Sequence, residues 1–247
     1  MISKIWQTIE TEHYLFHYPQ NSFIDTKIDS IAAYQEQCYA EIHAFLNISP
    51  SLHICYFLCT SPEEVGEAYG DNEPCNGFAA PPDTIYAVFN ETCQCIGYHE
   101  DAHLISYHAF GRPQQAFIRE GLAMHFDRVW HGIPNESICR YFLDTGRYIP
   151  ITTLIDDEHF YGISDWISYP IAGAFASYLL QRYDISLYIT MFRNAVEKRY
   201  FSDSILIEKL LSLEERDFCH SIKSIPYAQG LHCEVARLYE NIPSIRT

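Results

Sequence analysis

Residues 99 to 103 read His-Glu-Asp-Ala-His, and on an α-helix positions i and i+4 lie one turn apart on the same face. His99 and His103 can then each give a ring nitrogen to one metal ion at about 2.0–2.1 Å. Glu100 points to the neighbouring face, near a water on that metal but not bound to the metal itself. Such a metal lowers the water's pKa from about 15.7 towards roughly 7, and a glutamate there takes its proton and passes it to a leaving amine. That is the chemistry of amide hydrolysis.

In a chain with 12 His, five residues need independent support, and it comes from their surroundings. The string follows an expected strand, Thr84 to Phe89, and a short polar turn. It opens a segment with apolar residues at Ala102, Leu104, Ile105 and Ala109, the pattern of a helix packed on a sheet. Gly111, Arg112 and Pro113 break that helix, and helical periodicity resumes from about Gln115 to Trp130. Two helices joined by so short a break can pack side by side, which brings Glu120 back to the histidines. Two His and one Glu hold one zinc ion per chain and leave its fourth position open for water.

Other third ligands fit less well. A third histidine in the HExxHxxGxxH pattern needs glycine at position 106 and histidine at 109, where the chain has Ser106 and Ala109. His108 is about 100° around the helix from that place. His125, on a different face from Glu120, reads as a solvated or hydrogen-bonded helix residue, with a ligand role as the lesser alternative.

A HExxH helix followed by a Glu120-Gly121-Leu122-Ala123 helix resembles the gluzincins, specifically the small peptidase-MA-like metallopeptidase domains. The resemblance runs from about residue 10 to 215. Glu12-His13-Tyr14-Leu15-Phe16-His17-Tyr18 is similar to the family's first strand, and a long amphipathic helix and a second strand, Leu52 to Leu58, follow in the expected order. Ile151-Thr152-Thr153-Leu154 and then Tyr169 to Tyr183 resemble the family's C-terminal helix with its leading tyrosine.

The resemblance implies a zincin-like fold and peptidase activity, with Tyr169 donating a hydrogen bond to the oxyanion of the tetrahedral intermediate. It also implies that Gly77-Phe78-Ala79-Ala80 is the edge strand that takes substrate backbone by strand addition. An ordinary edge strand protected by Pro81 and Pro82 is the alternative. One position departs from the family. Many gluzincins carry an acidic residue four positions after the ligand glutamate, to orient a ligand histidine, and this chain has Met124 there. Asp127 or Asp101 stands in as an alternative.

The elements that must position these residues give an α+β chain. The N-terminal lobe, residues 1–110, is a mixed sheet with helices and ends in the HExxH helix. Residues 111–247 form a mainly helical lobe, with the cleft between the two. The N-terminal lobe has strands at 13–18, 52–59, 77–80 and 84–89, and a helix from Phe23 to Leu46 ended by Asn47 and Pro50. A short helix follows, capped by Ser61 with Pro62 in its first turn. Pro134 leads into a helix to Asp144, and Pro170 starts one ending near Tyr183. Further helices cover about 185–198, 204–213 and 227–239. At 247 residues and 48% hydrophobic, the chain supplies a full core.

The formal net charge of −16 argues against nucleic acid and anionic membranes as partners, since phosphate binding depends on Lys and Arg. No segment reads as a membrane span, and Met1 to Thr8 lacks the apolar run of a secretory signal, which points to the cytoplasm. Nine cysteines in no regular framework fit that compartment. Cys93 and Cys95 flank Gln94 just before the motif and read as reduced, half-buried thiols rather than a metal pair.

The expected function is zinc-dependent hydrolysis of a peptide or protein substrate. No carboxylate motif for a free amine precedes the string, so an endopeptidase is favoured over an aminopeptidase. The alternative is a non-catalytic peptide-binding or regulatory module on the same fold.

Overall fold

Ile54-Cys55-Tyr56-Phe57-Leu58-Cys59 is almost continuously apolar, so as a strand it has no face suited to water and belongs in the middle of a sheet. It takes that place in the computed structural model, which describes residues 5–49, 51–70, 72–183, 185–196, 204–227, 230–239 and 242. Two compact units divide the chain, Met1–Ala109 and Phe110–Thr247.

The first unit runs β1 (Trp6–Glu10), β2 (Tyr14–Pro19), α1 (Ile28–Leu46), β3 (Ile54–Cys59), α2 (Pro62–Tyr69), β4 (Gly77–Ala80), β5 (Thr84–Val88) and α3 (Tyr98–Phe110). Its five strands lie in the order β1-β2-β3-β5-β4. The β2-β3 and β3-β5 pairs are parallel, while β1 and β4 pair antiparallel at the edges, so the sheet is mixed. Tyr14, Phe16, Ile54, Tyr56, Ile85 and Ala87 alternate along the three central strands and are all fully or almost fully buried.

Helix α1 starts five residues later than the apolar spacing predicts. The amides of Thr26 and Lys27 close back onto the carbonyls of Phe23 and Ile24 as turns, at 3.2 and 2.8 Å, so helical pairing begins only after them. The helix ends as expected at Asn47, whose left-handed φ of 49° suits asparagine, while Pro50 lies outside the described residues. Ser61 caps α2 by accepting from the Glu64 amide, with Pro62 in the first turn.

Among its described residues the second unit's regular elements are helices apart from one hairpin of two-residue strands. It runs α4 (Ala116–Asp127), β6 (Val129–Trp130), β7 (Ile133–Pro134), α5 (Asn135–Thr145), α6 (Ile151–Leu154), α7 (Asp157–Gly162), α8 (Asp165–Arg182), α9 (Ile185–Val196), α10 (Ser204–Ser224) and α11 (Leu231–Tyr239). Phe142, Phe160, Phe175, Phe218 and Tyr239 form the centre of its core. Pro170 does not start α8: it lies inside the helix, whose first turn is built by Asp165 after Ser164. Proline lacks the N–H that would close the preceding turn, and the buried packing of Ile167, Ile171 and Phe175 holds the helix through it. The part of α9 expected to reach Lys198 lies outside the described residues, and Tyr227, where the last helix was expected to begin, is not helical: α11 starts at Leu231. Among the described residues no helix is long and apolar enough to cross a membrane.

Helix α4, which carries Glu120, lies against α8 at glycine-sized separation. A Cβ on Gly121 would stand 3.0 Å from the Ala172 carbonyl oxygen, and one on Gly173 would stand 2.6 Å from Cβ of Met124 and 2.7 Å from Nδ2 of Asn135. Asn135 Nδ2 in turn donates to the Met124 carbonyl at 2.9 Å, so neither neighbour is a loose side-chain end. Gly173→Ala is therefore expected to destabilise. Overpacking of this kind costs about 1–3 kcal/mol, against a helical gain from alanine of at most about 1 kcal/mol. Urea unfolding measures the difference, and a midpoint equal to or above wild type would show that the two helices are not this close.

Candidate metal centre

The rotation of α3 decides which residues its motif presents. Asp101, Ala102, Leu104 and Ile105 are buried to 2% exposure or less and form the inward face. Asp101 is the fastening: its Oδ2 accepts from Tyr14 Oη on β2 at 2.5 Å and from Gln35 Nε2 on α1 at 2.9 Å. Gln35 Nε2 also donates to the Gly97 carbonyl at 3.2 Å, just before the helix begins. Burial pushes the Asp101 carboxyl well above the usual carboxylate range, opposed by the Tyr14 hydrogen bond and reinforced by the charge of Glu100. Asp101 is thus turned towards α1 and β2, not towards the ligand histidines it was expected to be able to orient.

With Asp101 inward, His99 and Glu100 are half-buried and His103 is 7% exposed. The two imidazoles face each other edge-on, with ring centroids 4.9 Å apart and planes at 88°. His103 Nδ1 lies 3.1 Å from Tyr107 Oη, one turn further along α3. The tautomer protonated at Nδ1 donates to that hydroxyl and carries its lone pair on Nε2, the arrangement of a metal-binding imidazole. Tyr107 was not anticipated, although its i+4 spacing from His103 was visible. An ideal Cβ on Gly77 would stand 3.4 Å from Oε1 of Glu100, so the first residue of edge strand β4 runs close beside that carboxylate.

On α4, Glu120 is 7% exposed. Its Oε1 lies 3.5 Å from Nε of Arg119, itself buried. The Arg119 guanidinium is held by the carbonyls of Pro113 and Gln114, at 3.3 and 2.5 Å, and donates to Tyr161 Oη at 2.5 Å. The break expected at Gly111 to Pro113, with Gln114 after it, thus also supplies the carbonyls that fix this arginine. Met124 is fully buried against Gly173.

His99, His103 and Glu120 each offer one ligand atom, and these three atoms all lie within 4.8 Å of one another. Two neutral nitrogens and a carboxylate oxygen are the donor set of an open zinc site. His125 stands apart from that group. Its Nδ1 pairs with Ser177 Oγ at 2.9 Å, and burial, helped by the Arg128 charge, lowers its pKa to about 4, so it is a neutral packing histidine near neutral pH.

Tyr169 is half-buried, its ring 5.4 Å from both Trp130 and Phe160. Tyr161 is the phenol that Arg119 ties to the end of α4 carrying Glu120. Burial and the Glu120 charge raise its pKa, and the Arg119 charge and hydrogen bond oppose them. Nothing in Asp157-Glu158-His159-Phe160-Tyr161 marks that tyrosine in advance, because its partner is 42 residues away. No family model matches the sequence, and no curated protein matches it significantly.

Proposed function

We propose that the chain is a zincin-like metallopeptidase of the gluzincin type, in which His99, His103 and Glu120 hold one zinc ion. The observation that carries this reading is the convergence of those three donor atoms within 4.8 Å. Bound there, zinc would act as a Lewis acid on a scissile carbonyl and ease deprotonation of a water.

The remaining work falls to the protein's own groups. Glu100, on the face next to the two imidazoles, takes a proton from the attacking water on its carboxylate and delivers it to the leaving nitrogen. The outer edge of β4 offers backbone donors and acceptors to an extended peptide, because β4 pairs with β5 on one side only among the described residues. Gly77 lets that peptide's path run close to Glu100. The Arg119 guanidinium lies beside the Glu120 carboxylate, and Tyr107 fixes the His103 ring. Tyr169 is the proposed donor to the oxyanion, by likeness to the gluzincins. The substrate is a peptide or protein cut within the chain, and the compartment is the cytoplasm, in keeping with nine cysteines in no regular framework.

Elemental mass spectrometry of the purified protein tests the ligand set. Near one zinc per chain is expected in the wild type, with a large loss in Glu120→Ala. No metal after zinc has been supplied would remove the peptidase reading and leave the peptide-binding module in its place.

A further inference from the structure

The hairpin that leads into the motif helix brings two thiols together. Asn90 and Cys93 close a tight turn, with the Asn90 amide donating to the Cys93 carbonyl at 2.7 Å and Asn90 Oδ1 accepting from the amides of Thr92 and Cys93. Phe89 bridges Gln94, and the Cys95 amide donates to the Val88 carbonyl at 2.8 Å, so the returning segment is extended. In extended chain, residues two apart point to the same face, and Cys93 and Cys95 flank Gln94 on that face. Their sulfurs are 3.4 Å apart. Both residues are half-buried, on either side of the exposed Gln94.

We propose that Cys93 and Cys95 form a reversible dithiol–disulfide couple that exchanges two electrons with small-molecule disulfides of the glutathione class. The pair lies within the side-chain reach of a bond, since closing it needs the sulfurs to approach from 3.4 Å to about 2.05 Å. Burial, with Cys93 beside it, pushes the Cys95 thiol up to about 12, so the first attack falls to Cys93. Cys93 loses its proton to solvent and its sulfur attacks oxidised glutathione. The glutathione S–S bond breaks, one glutathione thiolate leaves and is protonated, and a mixed disulfide remains on Cys93. Cys95 then gives up its proton and attacks the Cys93 sulfur, releasing the second glutathione. The two cysteines are oxidised by two electrons in all, and one oxidised glutathione becomes two reduced ones.

Closure also removes the thiol proton that Cys93 offers to Asn76 Oδ1, at 3.7 Å, one residue before β4 begins. Oxidation therefore releases a tether on the strand that lies beside Glu100. The couple itself does not depend on the peptidase reading.

Full-length reduced protein equilibrated with oxidised and reduced glutathione, then quenched, alkylated and mapped by peptide mass spectrometry, tests the proposal. The wild-type segment holding both cysteines should lose two hydrogens and resist alkylation, and reduced glutathione should reverse this. At each glutathione ratio the folded chain should hold about tenfold more of this disulfide, relative to dithiol, than the chain in urea, because the hairpin raises the effective concentration of the thiols. In Cys95→Ser a glutathione adduct should accumulate on Cys93, and in Cys93→Ser the remaining Cys95 should stay largely unmodified. The proposal falls if wild-type Cys93 keeps its glutathione with Cys95 present, if it pairs with Cys75 or Cys59 instead, or if the folded and unfolded chains give the same ratio.

Discussion

Glu100→Gln is expected to keep the bound zinc and the urea midpoint of the wild type and to lose about 10²–10⁴-fold in kcat on a peptide substrate, the usual worth of a positioned acid–base group. Glutamine has the shape of glutamate and keeps one oxygen acceptor, so packing beside Gly77, with its 3.4 Å approach, is preserved. What it lacks is a group that can hold a proton at neutral pH. Glu100 is not among the three residues whose donor atoms converge, so the metal site should not sense the change. The loss should fall on kcat with KM little moved, because the interaction removed exists only while the proton is in flight. Turnover within a few-fold of wild type would take Glu100 out of the mechanism even if the zinc remained.

The candidate centre is legible in the sequence where its spacing is local. His99 and His103 declare themselves by i, i+4 spacing, and β3 by a run too apolar for anything but a central strand. The short break at Gly111 to Pro113 and the periodicity after it make Glu120 a candidate partner for the histidines, and a helix does resume there, at Ala116. What stayed hidden rests on contacts between distant residues. Tyr14 and Asp101 are 87 positions apart, and nothing in either neighbourhood advertises the bond. Strand β1 has no buried residue to give it an alternation, and β6, β7 and α6 are too short to show any period. Pro170 was misplaced by a rule that holds on average. Prolines favour the first turn, but burial along both sides of α8 outweighs the single lost hydrogen bond. Among 19 tyrosines, the role of any one is decided by its neighbours in space, which composition does not contain.

Asp101 shows how a buried polar residue can be needed for the motif without belonging to it. Asp101→Ala should lower stability by about 2–4 kcal/mol, because it leaves a small void and removes the acceptor that two buried donors share. Tyr14 Oη retains a 3.2 Å alternative at the Gln35 carbonyl, which keeps the loss from being larger. Asp101→Asn, nearly the same shape and still an acceptor, separates packing from charge. The folded carboxyl is raised above its unfolded value of about 3.9 by complete burial, and its Oδ1 finds no partner among the described residues. A carboxyl whose folded pKa is raised contributes its full stability below the unfolded pKa, and that contribution is lost as pH rises towards the folded value. Wild type should therefore be at its best relative to Asp101→Asn below about pH 4 and give up that advantage as pH rises towards neutrality, with the alanine variant below both at acid pH. Urea unfolding of the three proteins at several pH values reads this directly. A wild-type advantage over Asp101→Asn that grew with pH would mean that Tyr14 and Gln35 hold Asp101 as a carboxylate, and that the motif helix is fastened by a buried charge rather than by a neutral acid.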